Sequence, residues 1–399
     1  MYCTRKITED ITYIGGSDRR LALFENVYPI PNGISYNAYF INDEKTAVVD
    51  TVDKSVSAIF FENLAHMLGA RTLNYVIVNH MEPDHAATLE ELVLRYPQVK
   101  IVCSAKALAM MKQFFTFDAD AHTLLVKEGD TLTLGTHTLS FYMAPMVHWP
   151  EVMVTYDTTD KILFSADAFG TFGALNGHIF ADELPFGAAE LSEARRYYTN
   201  IVGKYGAQTL ALLKKAAGLD IQILCPLHGP VWRKDISVLT EKYQAWGAYA
   251  PEENGVLIVY GSVYGGTQNA AEILSTKLAE NGIPTAVYDA SVTHVSYLLS
   301  EAFRYSHLVA AAATYNNDIF PPVESFLADL KAHALKNRTV GLIQNGSWAP
   351  QSGKKMQEIL ESMQNMTVLP ETVTVRSTVK EDSFTEIDAL CGALIASLQ

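Results

Sequence analysis

Short apolar runs alternate with polar, turn-rich breaks along the first 250 residues. Ser35-Tyr-Asn-Ala-Tyr-Phe-Ile41 and Thr46-Ala-Val-Val-Asp50 have the length and the β-branched and aromatic content of strands. A stretch at 55–68 places its apolar residues at helical spacing. Strand and helix patterns then alternate, with Gly129-Asp130 and Asp157-Thr-Thr-Asp160 reading as hairpin turns. Strands this mixed in character suit two sheets packed face to face with helices outside. Four of the apolar strands run into a side chain that can bind a metal. Tyr75-Val-Ile-Val78 leads to His80, Glu82, Asp84 and His85; Leu139-Ser-Phe-Tyr-Met143 to His148; Lys161-Ile-Leu-Phe164 to Asp167; and Ile221-Gln-Ile-Leu224 to His228.

The pattern changes at Ala250-Pro-Glu-Glu-Asn-Gly255, a polar stretch carrying Pro and Gly. We expect a domain boundary there, giving domains at 1–250 and 255–399. The second domain is a regular alternation of strands, at 256–261, 285–289, 307–314, 339–344 and 367–375, with helix patterns between them and a last helix at 384–398. Five strands with helical crossovers predict a doubly wound parallel sheet.

Composition narrows the functions open to this chain. A net charge of −14 over 399 residues argues against nucleic acid and anionic membrane, whose phosphates it would repel. Cys3, Cys103, Cys225 and Cys391 are far apart, with no C-x-x-C pair, which fits a reducing compartment and offers no thiolate metal site. The first ten residues lack an apolar signal core, and no apolar run approaches membrane-spanning length. A cytoplasmic protein is expected.

The metal-type residues define the chemistry. Four imidazoles and three carboxylates exceed what one ion takes and suit two. Rigid strand ends can hold such a pair open for reaction. A lone histidine is most often a satisfied core or surface residue, and that is the expectation for His66, His122, His137, His178, His294, His307 and His333. Zinc favours imidazole and thiolate; mixed imidazole and carboxylate ligation suits iron or manganese. Asp167 is the plausible bridge, with His80, Glu82 and His148 completing one ion and Asp84, His85 and His228 the other.

The pattern resembles the metallo-β-lactamase-like fold, an αββα sandwich whose hydrolases carry H-x-H-x-D-H followed by His, Asp and His. Here Glu82 stands where the second of those histidines falls. That replacement, together with His148-Trp149-Pro150, resembles the flavodiiron protein family, and no ligand position of that family is missing.

In the second domain, Gly261-Ser-Val-Tyr-Gly-Gly-Thr-Gln268 joins a strand to a helix. Backbone amides, the hydroxyls of Ser262 and Thr267, and a helix N-terminus can hold a phosphate without a cation. The loop also carries Tyr264, Gly265 and Gly266. It is not a Walker loop, and the G-x-G-x-x-G of an FAD site is absent. Two more loops fall at the sheet's carboxyl edge: Thr314, Tyr315, Asn316 and Asn317, then Asn345, Gly346, Ser347 and Trp348. Tyr315 and Trp348 can stack on an isoalloxazine, and the Asn side chains and loop amides can bond its polar edge. The S-x-Y-G-x-T pattern resembles the flavodoxin phosphate loop, and the resemblance implies FMN and a flavodoxin-like fold.

A hydrolase needs no flavin, so the fusion argues for redox chemistry. Two ferrous ions and a reduced flavin together hold the four electrons that take O2 to water; two electrons couple two NO molecules into N2O. The expected activity is therefore reduction of O2, NO or both at a non-haem diiron site. A domain of this size has a radius of gyration of roughly 18 Å, too far for fast transfer from a flavin on its far side. A head-to-tail homodimer, alone or as a dimer of dimers, brings one chain's flavin to the other's irons, as the family resemblance also implies. With no further module expected after the last helix, an external donor is implied, either rubredoxin or reduced coenzyme F420. Rival readings are a dinuclear hydrolase with a regulatory flavodoxin domain and a non-catalytic electron shuttle. Tyr197 and Tyr198, in a helix pattern, are expected to be packing residues.

Overall fold

The computed structural model describes residues 2–185 and 187–399. They form two compact units. One comprises the chain up to Tyr198 together with Ala207–Gln244; the other comprises Thr199–Gly206 and Ala245–Gln399.

The first unit is a sandwich of two sheets. The larger sheet orders Arg5–Lys6, Ile11–Tyr13, Tyr39–Ile41, Thr46–Val49, Leu73–Ile77, Lys100–Cys103 and Thr123–Leu125. It is antiparallel as far as Thr46–Val49 and parallel beyond. The smaller sheet orders Thr131–Thr133, Thr138–Met143, Met153–Asp157, Ile162–Phe164 and Ile223–Cys225. Strand alternation sends every second side chain between the sheets. Ile41, Val49, Ile77 and Val102 from one sheet and Leu139, Phe141, Met153 and Phe164 from the other meet in a single buried cluster. The opposite face of the larger sheet is also buried, through Phe40, Val48, Val76 and Ile101. Helices with apolar stripes are available to cover it, among them Ser57–Leu68, which buries Phe60, Phe61 and Leu64.

One strand expected from the sequence is in fact two. Ile34–Tyr36 pairs with Gly16–Asp18 in a separate ribbon, whereas Tyr39–Ile41 joins the larger sheet. Asn37 makes the break. Its side-chain amide donates to the carbonyls of Pro226 and Gly229 at 2.9 and 2.8 Å, which competes with strand pairing as Asn side chains do in turns.

The second unit is the parallel sheet expected. Its order is Thr285–Asp289, Glu253–Gly261, Tyr305–Tyr315, Arg338–Asn345, Met366–Val375, so the first strand in sequence lies second in space. This flavodoxin-like order places the crevice at the carboxyl ends of the first and third strands. Helices Gly266–Glu280 and Glu381–Leu398 bury Ala270, Leu274, Ile387 and Leu390 against Ile258, Val309 and Ile343. Arg338 is buried, and main-chain carbonyls receive its charge. Its guanidinium donates to the carbonyls of Ala302, Phe303 and Tyr249, satisfying the end of helix Val295–Arg304.

The turns of the smaller sheet carry a buried ion pair. Asp157 accepts the backbone N–H groups of Thr159 and Asp160, and His137 from the neighbouring hairpin donates Nδ1–H to its Oδ2 at 2.9 Å. The hydrogen bond to Asp157 raises the His137 pKa to about 9, against the opposing effect of burial. A raised histidine pKa adds stability that is fully present below the unfolded value of about 6.5 and is lost as pH rises through the folded value. His137 is thus expected to stabilise the fold at pH 6 and to contribute almost nothing at pH 10. Denaturant unfolding of wild type and His137→Gln across that range checks it. The two curves should converge at high pH; a gap independent of pH contradicts the assignment.

Candidate metal centre and flavin pocket

The seven residues read from the strand ends come together in the first unit. Four short segments deliver them. After Leu73–Ile77 the chain enters the loop of His80 and Glu82 and then the one-turn helix Pro83–Ala86, which carries Asp84 and His85. Asp50, at the end of the adjacent strand, shapes this loop. It accepts hydrogen bonds from the Asn79 backbone and side-chain amides at 2.7 and 2.8 Å and from the His80 backbone amide at 3.3 Å. Asn79 in turn accepts the Thr155 hydroxyl at 2.7 Å, so the smaller sheet fixes the loop of the larger one. Asp50 adopts φ 55° to do this, a strained conformation of the kind that clusters at functional sites.

His228 is framed by the segment that breaks at Asn37. Its Nδ1 donates to the Ser35 carbonyl at 2.7 Å, the Ser35 hydroxyl accepts the Gly229 amide, and the Tyr39 hydroxyl donates to the Pro226 carbonyl at 2.6 Å. Asp167 lies beyond Ile162–Phe164, where the Leu227 amide donates to the Ala166 carbonyl. The Asp167 and His228 loops therefore hold one another.

The donor atoms fall into two groups, His80, Glu82, His148 and Asp167 in one and Asp84, His85 and His228 in the other. Asp167 reaches both. Its Oδ2 lies 3.1 Å from His148 Nε2 and 3.4 Å from His80 Nε2, and its Oδ1 lies 3.1 Å from His85 Nε2. Glu82 Oε2 is 2.9 Å from His148 Nε2 and 3.2 Å from His80 Nε2. Asp84 Oδ2 is 3.2 Å from both His85 Nε2 and His228 Nε2. Ligand atoms about 2.1 Å from an ion and at right angles to one another lie about 3 Å apart, so these spacings fit a pair of ions sharing Asp167. The buried oxygens Asp84 Oδ1 and Asp167 Oδ1 accept no hydrogen bond, as ligand atoms can and ordinary buried carboxylates rarely do.

The electrostatics point the same way. Burial pushes the Asp167 carboxyl up, yet the imidazoles of His85 and His80 hold it well below its ordinary range. Burial pushes His80 down, and Asp167, Glu151 and Glu82 more than reverse that. His85 and His148 are raised to about 10 and about 9 by their carboxylate neighbours, again against burial. Positive charge is strongly favoured at the centre of this cluster, whether protons or metal ions supply it.

Three neighbours complete the surroundings, of which Glu151 was not read from the sequence. Glu151 bonds His80 Nδ1 at 2.8 Å; its position one residue past His148-Trp-Pro was the available signal. Tyr197 is buried, with its ring 5.4 Å from that of His228 and its hydroxyl without a hydrogen-bond partner. It packs, as expected, but packs onto a member of the cluster. Glu25 stands at the rim, with part of its side chain in solvent and its carboxyl turned to Glu82; desolvation first, and then Glu82, push its pKa up to about 8.

In the second unit a cavity of about 600 Å³ opens at the carboxyl edge of the sheet. Twelve of the thirteen loop residues expected there line it: Ser262, Tyr264, Gly266, Thr267, Thr314, Tyr315, Asn316, Asn317, Asn345, Gly346, Ser347 and Trp348. Gly265 does not. It serves as the turn before helix Gly266–Glu280, at φ +88°, and donates its amide to Ser262 Oγ. The Thr267 hydroxyl is buried with no hydrogen-bond partner, and no Lys or Arg lines the cavity. That is a donor set for a phosphate held by neutral groups. Tyr264, Trp348 and Tyr315 are 98%, 89% and 45% exposed at its rim. Ser377 and Thr378, from the loop after the fifth strand, complete the wall; extending the strand-end rule to that strand finds them. Asn345 and Ser377 exchange hydrogen bonds at 3.0 and 3.2 Å.

Comparison with known proteins agrees with both halves. Residues 34–229 match the ODP family beta lactamase profile and residues 258–387 the flavodoxin profile. The chain is 30% identical to the rubredoxin-oxygen oxidoreductase of Megalodesulfovibrio gigas over 362 residues, 90% of this chain and 89% of that one. It is 31% identical to the anaerobic nitric oxide reductase flavorubredoxin of Aeromonas hydrophila over 350 residues, 86% of this chain and 70% of that one. The solved structure of rubredoxin oxygen:oxidoreductase from Desulfovibrio gigas superposes with a TM-score of 0.91 at 28% identity, covering 99% of both chains. A flavo di-iron protein variant from Thermotoga maritima does so with a TM-score of 0.91 at 25% identity, covering 99% of this chain and 98% of that one. Fold and site thus define an oxidoreductase built from a metallo-β-lactamase-like domain and a flavodoxin-like domain. The chain belongs to the flavodiiron protein family.

Gly266 provides a test of the pocket. A Cβ there would lie 1.9 Å from the Ser377 carbonyl oxygen, so Gly266→Ala must drive the phosphate loop and the Ser377 loop apart. We expect at least a tenfold weaker FMN affinity by fluorescence titration, with metal content unchanged. Wild-type FMN affinity in this variant contradicts the placement of the flavin.

Proposed function

We propose that this chain reduces O2 to water, NO to N2O, or both, at a non-haem diiron centre, with FMN relaying electrons from an external donor. The observation that carries the reading is the Asp167 carboxylate, with one oxygen among each group of imidazoles. Two ferrous ions and a reduced flavin, when bound, supply up to four electrons, enough for O2 + 4e⁻ + 4H⁺ → 2H2O or twice the need of 2NO + 2e⁻ + 2H⁺ → N2O + H2O.

His80, Glu82 and His148 would hold one iron and Asp84, His85 and His228 the other, with Asp167 between. Seven protein ligands would leave positions free on a pair of ions that favour up to six each, and those positions would be open to a diatomic gas. Burial of His80, His85 and His228 limits water around the reacting gas. Glu25, with its carboxyl turned to Glu82 at the rim, is suitably placed to return protons consumed at the centre. In the other unit, Ser262, Thr267 and the amides at the start of helix Gly266–Glu280 would hold the FMN phosphate. Tyr315, Trp348 and the Asn316, Asn317 and Asn345 loops would take the isoalloxazine.

The finer assignments rest on chemistry. The donor is a separate small carrier, rubredoxin or reduced coenzyme F420. Exposed Tyr264 and Trp348 around the flavin cavity favour a second copy of the chain over this rim, in a head-to-tail dimer or a dimer of dimers that pairs each flavin with a partner's irons. Among the described residues no helix is long and apolar enough to cross a membrane.

Two experiments test the reading. Protein loaded with iron and FMN, reduced anaerobically and pulsed with O2 or NO, should consume at least one gas at the expense of flavin and iron electrons; consumption of neither rejects it. Mixing subunits carrying Asp167→Asn with subunits carrying Gly266→Ala should restore activity above either parent, since one of the two cross-pairs then holds an intact flavin and intact irons. Absence of rescue in verified heterodimers rejects the head-to-tail pairing while leaving the reductase reading intact.

A further inference from the structure

The two halves of the metal cluster are supported unequally from behind. On one side, His80 Nδ1 meets Glu151 Oε1 at 2.8 Å. The Glu151 side chain is fully buried. The same oxygen accepts the Met81 amide at 2.9 Å, the other oxygen has no hydrogen-bond partner, and the Glu151 main-chain carbonyl is fixed by the Ser104 hydroxyl. On the other side, His228 Nδ1 donates to a neutral carbonyl, that of Ser35, at 2.7 Å. His85 Nδ1 is buried with no hydrogen-bond partner. One group of ligands therefore has an anionic acceptor behind an imidazole, and the other has only a neutral one.

A carboxylate that accepts the distal N–H of a metal-bound imidazole draws the proton toward itself and makes the ring a stronger donor; a carbonyl does this far less. Burial sharpens the difference, because the Glu151 charge is poorly screened. We propose that Glu151 is a positioning and charge-donating residue that makes the His80 side of the centre the more easily oxidised of the two. This rests on the reading that the seven ligands hold two irons. In a one-electron oxidation the electron then leaves from the His80 side and passes to the oxidant, while the Nδ1 proton stays in its hydrogen bond to Glu151. Refilling runs in the opposite order. The first electron from a bound flavin would settle on the His228 side and the last on the His80 side, so Glu151 would set the potential the donor must reach before the centre is ready for gas.

Glu151→Gln tests this with little change of shape, since its side-chain carbonyl can still accept both N–H groups. In a redox titration followed by electron paramagnetic resonance, with two irons per chain verified by elemental analysis, the first oxidation should become at least tenfold less favourable. That is a midpoint about 59 mV higher for a one-electron couple. A wild-type midpoint in fully loaded Glu151→Gln overturns the proposal. If Glu151→Gln loads fewer than two irons, iron affinity is the readout. A loss of about 10–100-fold that the charge-retaining Glu151→Asp largely restores supports it, and equal losses in the two variants overturn it. Failure of the underlying reading is distinguishable, because it appears in the wild type as the absence of an iron pair before any variant is made.

Discussion

A single carboxylate stands between two sets of imidazoles, out of contact with water, and most of the first unit serves to keep it there. Burying an unpaired carboxylate costs several kcal/mol. Asp167 is tolerated because His85, His148 and His80 all lie within 3.4 Å of it. Of these rings His80 is held from behind by Glu151, and the neighbouring His228 is held by the Ser35 carbonyl. The loops that carry them are tied across the sandwich by Asp50, Asn79 and Thr155 on one side and by Asn37 and Tyr39 on the other. The sandwich is less a container for the site than the device that sets its distances.

Much of this was legible because the ligands sit where apolar runs stop. A strand pattern of period two followed by His, Asp or Glu is a local signal, and four such ends converge once the strands fall into two facing sheets. The parallel sheet of the second unit was equally readable from its strand and helix alternation. What escaped was of another kind. Glu151, Asp50 and the Ser35 carbonyl act on residues 71, 30 and 193 positions away; only Glu151 carries a local hint, its place just past His148-Trp-Pro, and nothing local names the residue it acts on. Asn37 looked like a polar position within a strand because its competing bonds go to Pro226 and Gly229. Ser377 supports the flavin loop mainly through its backbone, which a side-chain reading does not see.

The two halves solve different problems with the same economy of strand ends. The metal cluster needs charge held in a dry interior, so its residues are buried and mutually paired. The flavin cavity needs a neutral phosphate cradle and an open face for electron exchange, so Thr267 is buried while Trp348 and Tyr264 stand in solvent. An acidic chain with no Lys or Arg in that cavity relies on helix and backbone dipoles to hold a dianion. Joining such a flavin module to a metal pair makes sense for chemistry that consumes electrons and little sense for hydrolysis.

The central claim is that two irons share Asp167. Anomalous diffraction from crystals of the iron-loaded protein, collected on both sides of the iron absorption edge, addresses it most directly. The account predicts two iron peaks per chain, one on each side of the Asp167 carboxylate and about 3.5–4 Å apart. A single peak, or peaks that follow the zinc edge, would contradict it.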